Sequence, residues 1–138
     1  MTGVQTCALP ICKWLYPNGF YAVVRRFSSK EERKRIVANV IDPRRLPSLK
    51  IGIENHLNVF HFNRQPISED LAHGLATFLN ASAADIYFRR FNGHTQVNAT
   101  DLRAMPYPSH DALVSLGKWA KVKINVTQDE IDEKVNEL

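Results

Sequence analysis

The hydrophobic period of this chain changes once, at Pro66, and that switch limits the folds open to it more than any other feature. Before it, FYAVVRRF (20–27) is aromatic and β-branched, which predicts a strand entered from the turn Pro17-Asn18-Gly19. Ser28 and Glu31 have capping-box spacing and predict a helical turn at SSKEE. RKRIVANVID (33–42) fits helix or strand, but Ile36, Val37, Val40 and Ile41 are branched and Pro43 closes the segment, so a strand is preferred. Two prolines make DPRRLPS a loop, and the loosely alternating IGIENHLNVFHF (51–62) reads as a third strand. Three strands in succession predict a small antiparallel sheet.

Beyond Pro66 the apolar residues recur at steps of three or four. Ser68 is placed to cap, Glu69 and Asp70 suit a helix N-terminus, and Leu71, Leu75, Phe78, Leu79, Ala83, Ile86 and Tyr87 form one stripe. The pattern predicts a single amphipathic helix of about 20 residues, roughly 30 Å long. Arg89 and Arg90 close it, and Gly93 can take the positive φ beyond its end. A polar loop follows, then Ser109 caps DALVSLGKWA, and Thr127 with Glu130 forms a capping box for a tail helix. The fold class is therefore α+β: a small antiparallel sheet, a long helix, a polar loop and a helical C-terminal tail.

At 138 residues the chain is one domain's worth. No apolar run approaches the roughly 18–20 residues that cross a bilayer, so no membrane partner is expected. Formal net charge is +4, but the last twelve residues hold five acids against Lys134, leaving residues 1–126 at +8. A basic body suits a polyanionic partner, because each cation that meets a phosphate releases condensed counterions.

The first eleven residues, MTGVQTCALPI, lack the basic start and extended apolar core of a secretion signal. They match the translation of the end of a common sequencing-library adapter at all eleven positions, with GTG read as the initiator. Residues 1–12 are accordingly expected to be a scar and its junction, with the native protein beginning further upstream. Cys7 and Cys12, the two cysteines of the chain, then belong to no metal or disulfide framework. A cysteine-free remainder is compatible with a reducing cytosol.

Catalytic signatures are absent from the sequence. There is no G-x-G-x-x-G, no Walker-type phosphate loop and no G-x-S-x-G elbow. His56, His61, His73, His94 and His110 have no metal-ligand spacing, and no carboxylate pair stands out for acid–base work.

The segments FYAVVRRFSSKEERKRIVANVIDP, GIENHLNVFHF, LAHGLATFLNASAADIYFRRFNGHTQVNATDLRAMPYPS and ALVSLGKW resemble the carboxy-terminal part of adenine-specific (N6) DNA methyltransferases of restriction-modification systems. The block NGHTQVNATDLR followed by Tyr-Pro is the most specific part. The resemblance implies that residues 13–108 are a target-recognition region that grips double-stranded DNA, followed by a helical tail at 109–138. It also implies a missing amino-terminal domain that binds S-adenosylmethionine and carries an Asn-Pro-Pro-Tyr motif, in a bacterial or archaeal cytoplasm. Met105-Pro106-Tyr107-Pro108 lacks the amide and the adjacent prolines of that motif, so no residue here is assigned to catalysis and no cofactor to this piece.

Seven residues are the candidates for DNA contact: Arg89, Arg90, His94, Thr95, Gln96, Asn98 and Arg103. Gln96 and Asn98 can pair with adenine N6 and N7, Arg103 with guanine or a phosphate, and His94 and Thr95 with phosphates or base edges. A structural role competes at several of them. Gln96 and Asn98 could equally fix the loop backbone, and Thr100 and Asp101 suit the start of a short helix that Met105-Pro106 ends. Arg25-Arg26, the triplet Arg33-Lys34-Arg35 and Arg44-Arg45 fit DNA contact or mere solvation, while Lys118, Lys121 and Lys123 read as solubility residues. Tyr87, Phe88, Phe91 and Trp119 read as core. The alternative function is a stand-alone basic adaptor for RNA or protein, with a purely structural loop. A gene start near Lys13 would favour it, and an upstream Asn-Pro-Pro-Tyr motif would favour the methyltransferase.

Overall fold

The computed structural model describes residues 15–29, 31–45, 50–53, 56–92 and 96–138. The adapter-like segment therefore lies outside the described residues. In chain order the elements are β1 (Leu15–Pro17), β2 (Tyr21–Arg25), β3 (Ala38–Ile41), a 3-10 turn at Pro43–Arg45, β4 (Lys50–Gly52) and β5 (Leu57–Phe60). Five helices follow: α1 (Glu69–Leu79), α2 (Ser82–Phe91), α3 (Ala99–Arg103), α4 (His110–Lys121) and α5 (Gln128–Asn136). The α+β class holds, with strands first and helices after.

All strand pairing is antiparallel, in two sheets: β3-β2-β5 and β1-β4. The segment read as a third strand is thus two strands in different sheets. Its first half pairs with β1, Tyr16 opposite Ile51, and its second half with β2, Val23 opposite Val59. The split follows from what each half buries. Ile51 and Ile53 join Tyr16 and Tyr21 in a small apolar cluster, against which Leu57 and Val59 pack from the other sheet. Strand β2 is consequently buried on both faces. Tyr21 meets that small cluster, while Ala22 and Val24 join the main core against the helices.

The predicted 20-residue helix is also divided, with Asn80 and Ala81 between α1 and α2. Asn80 decides this. Its amide Nδ2 donates to the Ala38 carbonyl at 2.9 Å and its Oδ1 accepts from the Ala38 N–H at 2.8 Å, so the side chain completes the edge of β3 like a strand partner. Ala81 then takes an extended conformation and starts α2 afresh. The break also shifts the buried face by one residue: Leu79 is followed by buried Ala84 and Phe88, while Ala83, Ile86 and Tyr87 of the expected stripe are exposed.

Ser68, Ser109 and Thr127 cap α1, α4 and α5 as the sequence predicts, and Thr127 with Glu130 forms the capping box. The described residues of SSKEE form no helix. The Ser28 hydroxyl is taken by the buried Arg35 instead, and a turn closes from the Glu32 N–H to the Ser29 carbonyl. Helices α1 and α4 pack backbone to backbone through Gly74 and Gly117. A Cβ on Gly117 would lie 1.7 Å from the Asp70 carbonyl oxygen. No helix among the described residues is long and apolar enough to cross a membrane.

Candidate nucleic-acid interface

The polar stretch that follows α2 rests on a buried cation. Arg35 is fully buried, and its guanidinium donates to Ser28 Oγ (2.8 Å), Asn92 Oδ1 (3.2 Å) and the Asn92 carbonyl (3.4 Å) while lying over the Phe88 ring. Burial, and then the nearby Arg89, draw its pKa below the ordinary value, but a guanidinium stays charged in water-accessible pH. An uncompensated charge there would be untenable, so the acceptors around it are obligatory. Asp85 supplies the neighbouring negative charge. It accepts from the Arg35 N–H at 2.6 Å and from Arg89 Nε at 2.8 Å.

Asn92 passes this order outward. Its Nδ2 donates to the Gln96 carbonyl at 3.2 Å and to Asp101 Oδ2, so one amide ties the end of α2 to Gln96 and to the first turn of α3. The chain then meets the sheet. Val97 N–H donates to the Arg26 carbonyl, Asn58 Nδ2 donates to the Val97 carbonyl at 2.7 Å, and Phe27 forms a bridge with Gln96. Asn98 caps α3 by accepting from the Asp101 N–H at 2.8 Å, and Leu102 buries the short helix. Tyr107 donates its hydroxyl to the Leu102 carbonyl at 2.7 Å. Burial pushes that phenol up to about 12, so it remains a donor at neutral pH.

These contacts set α3 opposite β5, one of the two edge strands of its sheet, and leave an open cleft of about 910 Å³ between them. Arg26 and Arg103 line it as cations, Asn63 as an amide, and Phe60, Phe62 and Tyr107 as aromatics, while Asn58 lines it with its amide already given to Val97. Its charge and donor inventory match a nucleic-acid backbone and base edges.

The seven candidate residues are not all in this cleft. Arg103 is exposed and lines it. Asn98 adjoins it but uses its side chain as a helix cap, and Gln96 is exposed beside the Phe27 bridge. Arg89 is engaged at the helix face, with Asp85 and with the Glu32 carbonyl at 2.7 Å, whereas Arg90 is exposed in the last turn of α2. His94, Thr95 and Gly93 lie outside the described residues.

Several basic residues turn out to hold the fold. Arg25 pairs with Glu32, Arg44 with Asp42 and Glu69, and Lys121 bridges α4 to Glu69 and Asp70 of α1. Lys34 donates to the Asn80 carbonyl and to Gln128, which joins α5 to the α1–α2 junction. The Arg33-Lys34-Arg35 run is thus mostly internal wiring. Sequence reasoning passed over the Phe62-Asn63-Arg64-Gln65 hairpin beside the cleft. Its signal was present: an Asn within a short polar pair, flanked by strand-type residues. Among the described residues no group of three or more His, Cys, Asp or Glu could hold a metal ion.

The chain is 59% identical over 127 residues to the type II methyltransferase M.BsuBI of Bacillus subtilis, covering 91% of this chain and 25% of that protein. Its sequence relatives are type II methyltransferases. A second, M.PstI of Providencia stuartii, is 43% identical over 123 residues, covering 89% of this chain and 24% of that protein. The chain therefore spans about a quarter of the length of the curated relatives it matches. This similarity favours the methyltransferase reading over the stand-alone adaptor. No protein-family model and no solved structure matches the chain.

Proposed function

We propose that this chain is the carboxy-terminal target-recognition piece of an adenine-N6 DNA methyltransferase of a restriction-modification system. The observation that carries the reading is 59% identity to a type II methyltransferase across nine-tenths of the chain. In the intact enzyme a preceding domain would bind S-adenosylmethionine and transfer its methyl group to an adenine extruded from duplex DNA, in a bacterial or archaeal cytoplasm. This piece contributes grip and sequence choice. Arg103 and Arg26, which both line the cleft, reach a phosphate or guanine, and exposed Gln96 and Arg90 extend the contact beyond it.

The bonding pattern redistributes roles among the seven candidates. Arg103 is the base- or phosphate-reading residue of first rank. Gln96 keeps a readout role because only its backbone carbonyl is engaged by Asn92. Asn98 and Arg89 support the surface from within, and His94 and Thr95 remain candidates on sequence grounds. Selection of bound duplexes from a random pool tests the proposal. The wild-type chain should enrich one short site, and Arg103→Ala should relax preference at one position by about 1–3 kcal/mol. A pool that emerges unenriched, with the chain folded and retained, would defeat it.

A further inference from the structure

Beside the cleft, Phe62 is more exposed than the two other exposed aromatics among the described residues, Phe27 and Tyr87. It is 69% exposed, next to a sheet whose other apolar residues pack inward. Its backbone is not loose. Phe62 and Gln65 exchange both ladder hydrogen bonds, at 3.0 and 2.8 Å, across a two-residue turn in which Asn63 (φ 50) and Arg64 (φ 62) both have positive φ. Arginine rarely accepts that conformation, and here three contacts hold it. Arg64 N–H donates to His61 Nδ1 at 2.8 Å, its guanidinium lies 4.3 Å from the Tyr16 ring centre, and Nη2 donates to the Leu15 carbonyl at 3.1 Å. The hairpin is anchored at its root, and Phe62 projects from it into the same cleft that Arg26 and Arg103 make positive.

We infer that Phe62 is a wedge that inserts between adjacent base pairs of duplex DNA. The inference rests on the proposed DNA-recognition role and adds to it a specific act, the local unstacking of one base step. Rigid presentation is what such a wedge requires, because a mobile phenyl ring would lose its ordering entropy on insertion. Flanking cations hold the backbone on either side while the ring replaces base–base stacking with base–aromatic stacking. Asn63, next along the turn, offers its amide to the opened base edge. Because pyrimidine–purine steps unstack most readily, the wedge should favour TA or CA/TG at the step it enters.

The test uses the whole chain and a duplex that the wild-type chain has enriched from a random pool, with 2-aminopurine substituted at successive positions. Wild-type binding should raise 2-aminopurine fluorescence several-fold at one step only. Phe62→Ala should abolish that rise and weaken affinity about 10-fold, while Phe62→Leu, still an apolar wedge, should restore part of it. Because the ring is exposed, Phe62→Ala should keep the wild-type circular dichroism and thermal midpoint. Bound DNA with no enhanced position, or an unchanged enhancement in Phe62→Ala, would overturn the wedge and leave DNA recognition standing. Failure of the wild-type chain to enrich any duplex would instead overturn the recognition role, and the wedge with it.

Discussion

Replacing Asn92 with alanine tests whether the recognition surface is held from beneath by the buried arginine. Asn92 is 3% exposed, and its side chain accepts from Arg35 Nη2 and donates to Asp101 and to the Gln96 carbonyl. Two of these have a charged partner, at about 1.5–3 kcal/mol each, and the third adds about 1 kcal/mol. Asp101 is half-buried and regains water when released, which lowers the expected loss to about 3–5 kcal/mol. That is a large share of the roughly 5–15 kcal/mol that keeps a domain folded. Urea unfolding followed by far-ultraviolet circular dichroism should show a midpoint lower by about 2 M, given a slope of about 1–3 kcal/mol per molar. A midpoint for Asn92→Ala within about 0.3 M of wild type would refute the network, because no well-formed set of buried charged bonds is that cheap to remove.

Close helix contact gives a second prediction. Gly117→Ala or Gly74→Ala, whose Cβ would fall 1.7 or 1.9 Å from a carbonyl oxygen of the facing helix, should lose about 1–3 kcal/mol or more despite better helix propensity. Gly52→Ala, whose nearest atom would be 4.0 Å away, is the neutral control in the same denaturation assay. Burial, with Arg64 beside His61, pulls the pKa of His61 and His73 below the ordinary 6.5. The unfolded chain then binds more protons than the folded one, so their contribution to stability is complete above pH 6.5 and declines as pH falls through their folded values. The thermal midpoint should drop on acidification from about pH 7.5 to about pH 5, and a His61→Gln/His73→Gln variant should flatten the drop. Finally, Arg89→Ala should lower the thermal midpoint and shift DNA affinity only through folding, whereas Arg103→Ala should weaken DNA binding with the midpoint unchanged.

Much of this architecture is legible in the sequence because local chemistry determines it. The caps at Ser68, Ser109 and Thr127, the strand at 21–25 and the helical stripe Leu71, Leu75, Phe78 and Leu79 all follow from residues acting within a turn or two of themselves. What the sequence conceals is long-range. Asn80 breaks a helix because Ala38, forty-two positions away in the chain, offers a backbone edge to it. Arg35 sits in a run that looks solvated, and only the fold shows Ser28, Asp85 and Asn92 closing around it. The candidate site divides along the same line. Arg103 and Gln96 are as exposed as their chemistry suggests, while Arg89 and Asn98 are committed to the helices that carry them.

If the cleft between β5 and α3 grips duplex DNA through Arg26 and Arg103, binding must weaken as salt competes for the phosphates. Fluorescence anisotropy of a labelled duplex, measured from about 50 to 200 mM salt, should give a linear fall of log affinity with log salt, at a slope near −0.9 per phosphate neutralised. The Arg26→Ala/Arg103→Ala variant should bind more weakly with a slope shallower by about 2 if both contact phosphate. A folded wild-type chain that fails to bind duplex at low salt, or a double variant with wild-type affinity and slope, would contradict the account.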